Sequence, residues 1–288
     1  MATAPARVNP PAPRPRRRLT PALAERDSAR VEGVSREALE AAVDCLVGAR
    51  YAIALTGAGL SVESGIPPFR GPGGLWTRYG EPPMDGFQRF LRDPRKAWQE
   101  RLDPAGPMRE LWTTLANARP NAGHAALVEL EQLGIVKATI TQNIDNLHRI
   151  AGHARLLEIH GNATLIRCLQ CGTRFPRAEI DIVELPPRCP RCGGLLKSDT
   201  VSFGEPIPAD VLASCFEEAE RADCVLVAGT SATVYPAAQF PIAVHQRGGD
   251  LIEVNPYESE ITALCRHALR GPAGEVLPEL VSRVRALV

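Results

Sequence analysis

Four short apolar runs, each ending in glycine or polar residues, constrain the fold of this chain more than any other feature. They are YAIALTG (51–57), IVKATIT (135–141), ADCVLVAG (222–229) and GDLIEVN (249–255). Apolar character without alternation predicts strands covered on both faces, as in a parallel sheet. Amphipathic segments lie at 121–134, 208–221, 236–247 and 273–287, and a helical periodicity runs through 35–50. Strands alternating with helices predict an α/β fold, a Rossmann-like doubly wound parallel sheet that binds ligands at the carboxyl ends of its strands. The polar endings TGAGLS, TQNIDN, AGTS and VNPYE would then share one edge of that sheet.

Two stretches interrupt the alternation. Residues 75–118, with Trp76, Trp98 and Trp112, are expected to form a helical insert, and the cysteine-rich residues 162–198 a separate small lobe. The Rossmann lobe would then comprise 33–74, 119–161 and 199–288, and residues 1–32 a tail. The first eighteen residues carry five prolines and five arginines with no acidic residue, a composition that favours extended, solvated chain over helix. A docking arm for nucleic acid or a partner is the alternative; an organelle transit peptide would be amphipathic and richer in serine.

Charge narrows the partners. Lys+Arg and Asp+Glu each number 33 in 288 residues, which excludes a polyanion binder working through bulk charge. No apolar run approaches the ~18 residues of a membrane span, and no apolar h-region follows the basic start. A soluble, cytoplasmic protein is expected, with neither nucleic acid nor membrane as a specific partner.

Of eight cysteines, four form two pairs, Cys168-x-x-Cys171 and Cys189-x-x-Cys192. This spacing brings four thiolates to tetrahedral Zn²⁺, and the glycine after each pair permits the tight turn. With no open position or further ligand evident, the zinc, one per chain, is expected to be structural. Cys45, Cys215, Cys224 and Cys265 have apolar neighbours and are expected in the core.

Gly57-Ala58-Gly59 follows a predicted strand, as in a dinucleotide-binding turn, yet Val62 stands where the third glycine of that fingerprint would fall. A plain strand-to-helix turn explains it equally. The continuation 61–74 is too rich in glycine and proline for helix and is expected to be a long loop carrying Phe69 and Arg70 over the strand ends. At the next strand end, the carboxamides of Gln142 and Asn143 and the carboxylate of Asp145 offer groups for ribose hydroxyls or an amide, although Asn143 or Asp145 would serve equally as a helix cap. Residue types alone do not choose His160 over His124, His148 or His153 as a catalytic base.

Taken together and in this order, GAGLSVESGIPPFRG, TQNIDNLH, EIHGN, the two cysteine pairs, VSFGE, GTS and the VN of IEVN resemble the sirtuin family, of bacterial type, over about residues 35–288. The resemblance implies an NAD-dependent protein-lysine deacylase, with NAD as co-substrate, a structural zinc, and acylated-lysine proteins as partners. Their peptide would enter between the lobes by pairing as an extended strand. It places Gly57, Ala58 and Gly59 at the pyrophosphate, Ser61 among the cofactor-binding residues, and Phe69 and Arg70 in the cofactor loop. Gln142, Asn143, Ile144 and Asp145 would line the ribose and nicotinamide pocket, and Gly229, Thr230, Ser231 and Asn255 the far half. Val201, Phe203, Gly204 and Glu205 would form the acyl-lysine channel and peptide-pairing strand. Asn143 and His160 would be catalytic, His160 as general base on a ribose hydroxyl. The products would be nicotinamide, O-acyl-ADP-ribose and free lysine.

Three positions bear on activity. Pro68 stands where the family carries aspartate in the cofactor loop, and Ser198 where it commonly carries proline. Family members that prefer succinyl or malonyl lysine carry Tyr-x-x-Arg in the insert; alignment on Trp98 puts Arg101 and Pro104 there, which favours uncharged acyl groups. Pro68 keeps protein mono-ADP-ribosyl transfer open as an alternative, and a catalytically weak NAD- or peptide-binding module, docked by the arginine-rich tail, is a second.

Overall fold

The structure, a computed structural model, describes residues 33–288; the tail expected over 1–32 lies outside them. Helix α1 (Arg36–Gly48) begins where the Ser35 hydroxyl accepts the Ala38 N–H, and it buries Leu39, Ala42, Val43 and Leu46 along one face. Strand β1 (Ala52–Thr56), buried throughout, runs into a 3-10 turn over Ala58–Ser64. That turn corrects one expectation. Residues 61–64 are still helical, and the break comes at Gly65, whose φ of 86° lies in the left-handed region. The open loop therefore spans 65–74 rather than 61–74.

Helices α2 (Leu75–Tyr79), α3 (Gly86–Arg92), α4 (Pro94–Leu102) and α5 (Gly106–Asn117) make up the stretch expected to be helical. The chain continues through α6 (Ala122–Gln132), β2 (Val136–Thr141), α7 (Leu147–Ala151) and β3 (Leu156–Glu158). Three short strands follow, β4 (Leu165–Cys168), β5 (Arg174–Pro176) and β6 (Leu196–Ser198). The last part holds α8 (Ala209–Arg221), β7 (Cys224–Ala228), α9 (Gln239–Gln246), β8 (Asp250–Val254), β9 (His267–Leu269) and α10 (Ala273–Arg285).

Six strands pair in the order β3-β2-β1-β7-β8-β9, all parallel. The order reverses between β1 and β7, so the crevice above that pair is the topological switch point of an open α/β sheet. Register then decides which residues meet. Thr56 pairs with both Thr141 and Ala228, and Ala228 with Val254. The next residue of each strand, Gly57, Gln142, Gly229 and Asn255, therefore stands level with the others at one edge.

Aliphatic cores cover both faces of this sheet. One face packs Leu226, Ile252 and Val254 against α1, α6 and α10; the other packs Ile53, Ile140 and Val225 against α8 and α9. The three short strands form a separate antiparallel sheet, β5-β4-β6. Its core is small and shared with the insert, because Phe90 of α3 and Trp98 of α4 pack on Ile166 and Leu196. The indole N–H of Trp98 donates to the Leu196 carbonyl at 2.9 Å. Among the described residues no helix is long and apolar enough to cross a membrane.

Candidate active site

The floor of the crevice is backbone. Gly57 N–H donates to Ala228 O at 3.1 Å and Gly59 N–H to Gly229 O at 2.7 Å. A Cβ on Gly229 (φ 62°) would fall 2.2 Å from the Leu60 nitrogen, and one on Gly57 would fall 2.7 Å from Thr230 Cβ. The two strand-end turns therefore interlock in a way only glycine permits, and they leave a floor with no bulky side chain, open to close approach by a pyrophosphate.

Above it opens a cleft of about 1480 Å³, larger than the ~300–1,000 Å³ that holds one drug-sized ligand. Its walls include Gly57, Ala58, Gly59, Gln142, Asn143, Ile144, Gly229, Thr230, Ser231 and Asn255 from the sheet edge, with Phe69 and Arg70 from the loop. His160, Val201, Phe203, Gly204 and Glu205 line it as well. Ser61 and Asp145 lie behind this wall, 0% and 7% exposed. Ser61 Oγ donates to Asp145 Oδ2 at 2.6 Å, and the Asn143 amide donates to Gly57 O at 3.0 Å and Ser61 Oγ at 3.2 Å. Burial raises the pKa of the Asp145 carboxyl, an effect opposed by the hydrogen bond from Ser61. In this arrangement Asp145 fixes Ser61, and Ser61 helps to fix the Asn143 carboxamide. Gln142 is held likewise, its amide donating to Thr230 Oγ1 at 2.9 Å.

Geometry also separates the histidines. His160 follows β3 and lines the cleft, whereas His124, His148 and His153 stack edge to face in the interior with ring centroids 5.0 and 4.8 Å apart. His160 Nδ1 lies 3.1 Å from the Gln142 carbonyl oxygen. A carbonyl only accepts, so Nδ1 carries the proton in the neutral ring and Nε2 is left as a lone pair. Burial holds the His160 pKa below its usual value, with the Gln142 bond opposing. A neutral imidazole with a fixed tautomer is what a general base requires. The interior histidines instead brace the wall: His148 Nε2 lies 2.9 Å from Thr56 Oγ1, Thr56 donates to Thr141 Oγ1, and Thr141 accepts the Asn143 N–H.

The insert contributes wall residues that the sequence did not tie to the cleft, namely Trp76, Tyr79, Leu111 and Trp112. Trp76 packs 5.0 Å from Phe69 and 5.8 Å from Phe203, and the Arg70 guanidinium lies 4.3 Å over it. The clue was the presence of three tryptophans in one insert, but periodicity gives no direction to such side chains. Tyr235 and Tyr257, both exposed, stand at the opposite end. Arg101 is engaged elsewhere, donating to Ala163 O at 3.1 Å with its guanidinium 4.4 Å over Trp112. Burial lowers its pKa to about 10.

In the small sheet the four thiols of Cys168, Cys171, Cys189 and Cys192 lie within 4.8 Å of one another. The Cys168–Cys192 and Cys171–Cys189 sulfur separations are 3.5 and 3.9 Å. Tetrahedral zinc with Zn–S of ~2.3 Å needs sulfurs about 3.8 Å apart, so the residues fit the ion. Gly172 and Gly193, at φ 71° and 73°, make the turn after each pair.

A Rossmann switch point with a glycine floor, facing a zinc-ribbon lobe across an imidazole, defines an enzyme of nucleotide-dependent group transfer. Residues 57–236 match the Sir2 family, and this chain belongs to that family. It is 47% identical over 254 residues to the NAD-dependent protein deacylase of Thermococcus kodakarensis, covering 86% of this chain and 96% of that protein. It is 46% identical over 236 residues to NAD-dependent protein deacylase 1 of Archaeoglobus fulgidus, covering 82% and 94%. Both relatives are archaeal. A solved Sir2 homolog–NAD complex superimposes with a TM-score of 0.73 at 44% identity, covering 86% of this chain and 94% of that one.

Proposed function

We infer that this chain is an NAD-dependent protein-lysine deacylase, converting acyl-lysine, NAD and water to free lysine, nicotinamide and O-acyl-ADP-ribose. One observation carries the reading: His160, its Nδ1 held on Gln142 O, lines the same cleft as the interlocked glycines. NAD, the co-substrate, supplies the electrophilic ribose carbon once nicotinamide departs.

The chain's own residues do the rest. Gly57, Ala58 and Gly59 hold the pyrophosphate, and Gly229, Thr230, Ser231 and Asn255 the adenosine half. Asn143, braced through Ser61 and Asp145, orients the ribose, beside Gln142 and Ile144. Val201, Phe203, Gly204 and Glu205 receive the acyl peptide, and the Phe69–Trp76–Phe203 aromatic row keeps water from the acyl carbonyl. His160 Nε2 would take the proton of a ribose hydroxyl that adds to the acyl carbon, and water would then complete release of the lysine amine. Zinc stays remote and structural. This divides the chain into a Rossmann lobe (33–74, 119–161, 199–288), an insert (75–118) and a zinc lobe (162–198). With Pro104 at the position of the family's arginine and Arg101 donating to Ala163 O, the Tyr-x-x-Arg pair has no counterpart here, which favours uncharged acyl groups. A cytoplasmic setting suits thiolates kept reduced for a metal.

The test is mass spectrometry of acetyl- and succinyl-lysine peptides incubated with the chain, with and without NAD. The expected result is NAD-dependent loss of acetyl with equal amounts of nicotinamide and O-acetyl-ADP-ribose. ADP-ribose appearing on protein, or nicotinamide at background with every peptide, overturns the reading; dominant succinyl turnover overturns the acyl preference.

A further inference from the structure

Arg167 on β4 and Lys197 on β6 stand directly opposite each other in the register of the small sheet, beside the zinc ligand Cys168. Both are buried, 7% and 4% exposed. Like charges at directly paired strand positions repel, and burial removes the water that would screen them. The compensating charge comes from outside the lobe, from Glu205 and from buried Asp199, whose Oδ1 lies 3.7 Å from Arg167 Nε. Glu205 Oε1 accepts Arg167 Nη2 at 2.5 Å, and Oε2 pairs with Lys197 Nζ at 2.8 Å. The same carboxylate accepts the Ser202 N–H at 2.9 Å, while Glu205 N–H donates to Ser202 O at 3.0 Å. The segment 201–205 is thus fastened at one end to the two cations. At its other end, Val201 N–H donates to the His160 carbonyl at 2.8 Å.

With only 2% of its side chain exposed, Glu205 lines the cleft through its backbone, and its carboxylate is committed to the lobe. Among the described residues the side chains of Arg167, Lys197 and Glu205 bond to one another and to the backbone of Ser198, Thr200 and Ser202, not directly to Gly57, Gly59 or Gly229. We propose that Arg167 and Lys197 are positioning residues for the acyl peptide: through Glu205 they hold 201–205 in place, so that the zinc lobe sets peptide affinity and leaves cofactor affinity alone. This rests on the deacylase reading above.

The full-length chain is compared with Glu205→Gln, Lys197→Met and the conservative Lys197→Arg. A fluorescein-labelled acetyl-lysine peptide reports binding by anisotropy, KM is measured separately for peptide and NAD, and zinc per chain is measured by atomic emission. In Glu205→Gln and Lys197→Met, peptide Kd and KM rise about tenfold, the equivalent of about 1.4 kcal/mol, while KM for NAD stays within about twofold and the zinc is retained. Lys197→Arg behaves as the unsubstituted chain. Lys197→Met keeps the Arg167–Glu205 pair and is the decisive variant should Glu205→Gln lose its zinc. Unchanged peptide binding in Lys197→Met, or parallel rises in both KM values, overturns the proposal. An unsubstituted chain that binds peptide but does not turn over overturns only the deacylase reading; one that binds no peptide overturns both.

Discussion

The two sheets are built on opposite principles. The parallel sheet is walled on both faces by aliphatic side chains such as Ile53, Leu226 and Ile252, all 0% exposed, and its stability follows from burial alone. The small sheet has few buried apolar residues, two of which are the zinc ligands Cys168 and Cys189, and beside Ile166 and Leu196 it buries the charged side chains of Arg167, Lys197 and Glu205. A lobe of this size cannot remove enough apolar surface from water to offset chain entropy, so metal and ion pairs stand in for a core. The large lobe should tolerate insult gradually, and the small one abruptly.

Metal removal is the largest test of that contrast. Structural zinc contributes roughly 10 kcal/mol or more to a small domain, so Cys189→Ala or strong chelation should expose β4–β6 to hydrogen exchange while β1, β2 and β7 stay protected. Uniform loss of protection would erase the distinction. Next comes the seam between the lobes. His160→Ala should lower deacylation by about 10²–10⁴-fold with zinc content and melting temperature unchanged; appreciable turnover would remove His160 from its role. Within the large lobe, Ile252→Ala should cost about 2–5 kcal/mol in urea unfolding and leave the metal bound. Loss of zinc in that variant would show the lobes to be one cooperative unit.

The smallest effect is acid sensitivity. His124, His148 and His153 are all held below the usual histidine pKa, chiefly by burial, His124 to about 4. The folded chain thus binds fewer protons than the unfolded chain between those values and about 6.5, so stability is full above that pH and declines as pH falls through the window. The loss should be gradual as pH falls from about 6.5 toward 4, read as a falling urea midpoint. A midpoint constant from pH 7 to 4.5 would contradict buried neutral imidazoles.

Much of this architecture was legible because it depends on patterns that survive in one dimension. The four apolar runs became β1, β2, β7 and β8 since both-face burial demands uninterrupted hydrophobicity, and the cysteine spacing carried its own geometry. Strand β9, three residues of HAL, is too short to show any period, and β5 and β6 are no longer. At the site, the residue types were visible but their depth was not. Ser61 and Asp145 read like cleft residues yet lie one layer behind, and Glu205 turns its carboxylate toward Arg167 and Lys197, because partners distant in sequence decide where a polar side chain points. Residue types alone left four histidines open, and it was the resemblance that pointed to His160; the tautomer of its ring became legible only with the Gln142 carbonyl, eighteen positions away.

The mutual blocking of Gly59 and Gly229 limits redesign. Because neither turn accommodates even a methyl group, the binding floor offers no handle for diversification. Any attempt to retune which nucleotide is accepted has to work from the rim, at residues such as Tyr235 or Tyr257, where bulk and charge are still free to vary.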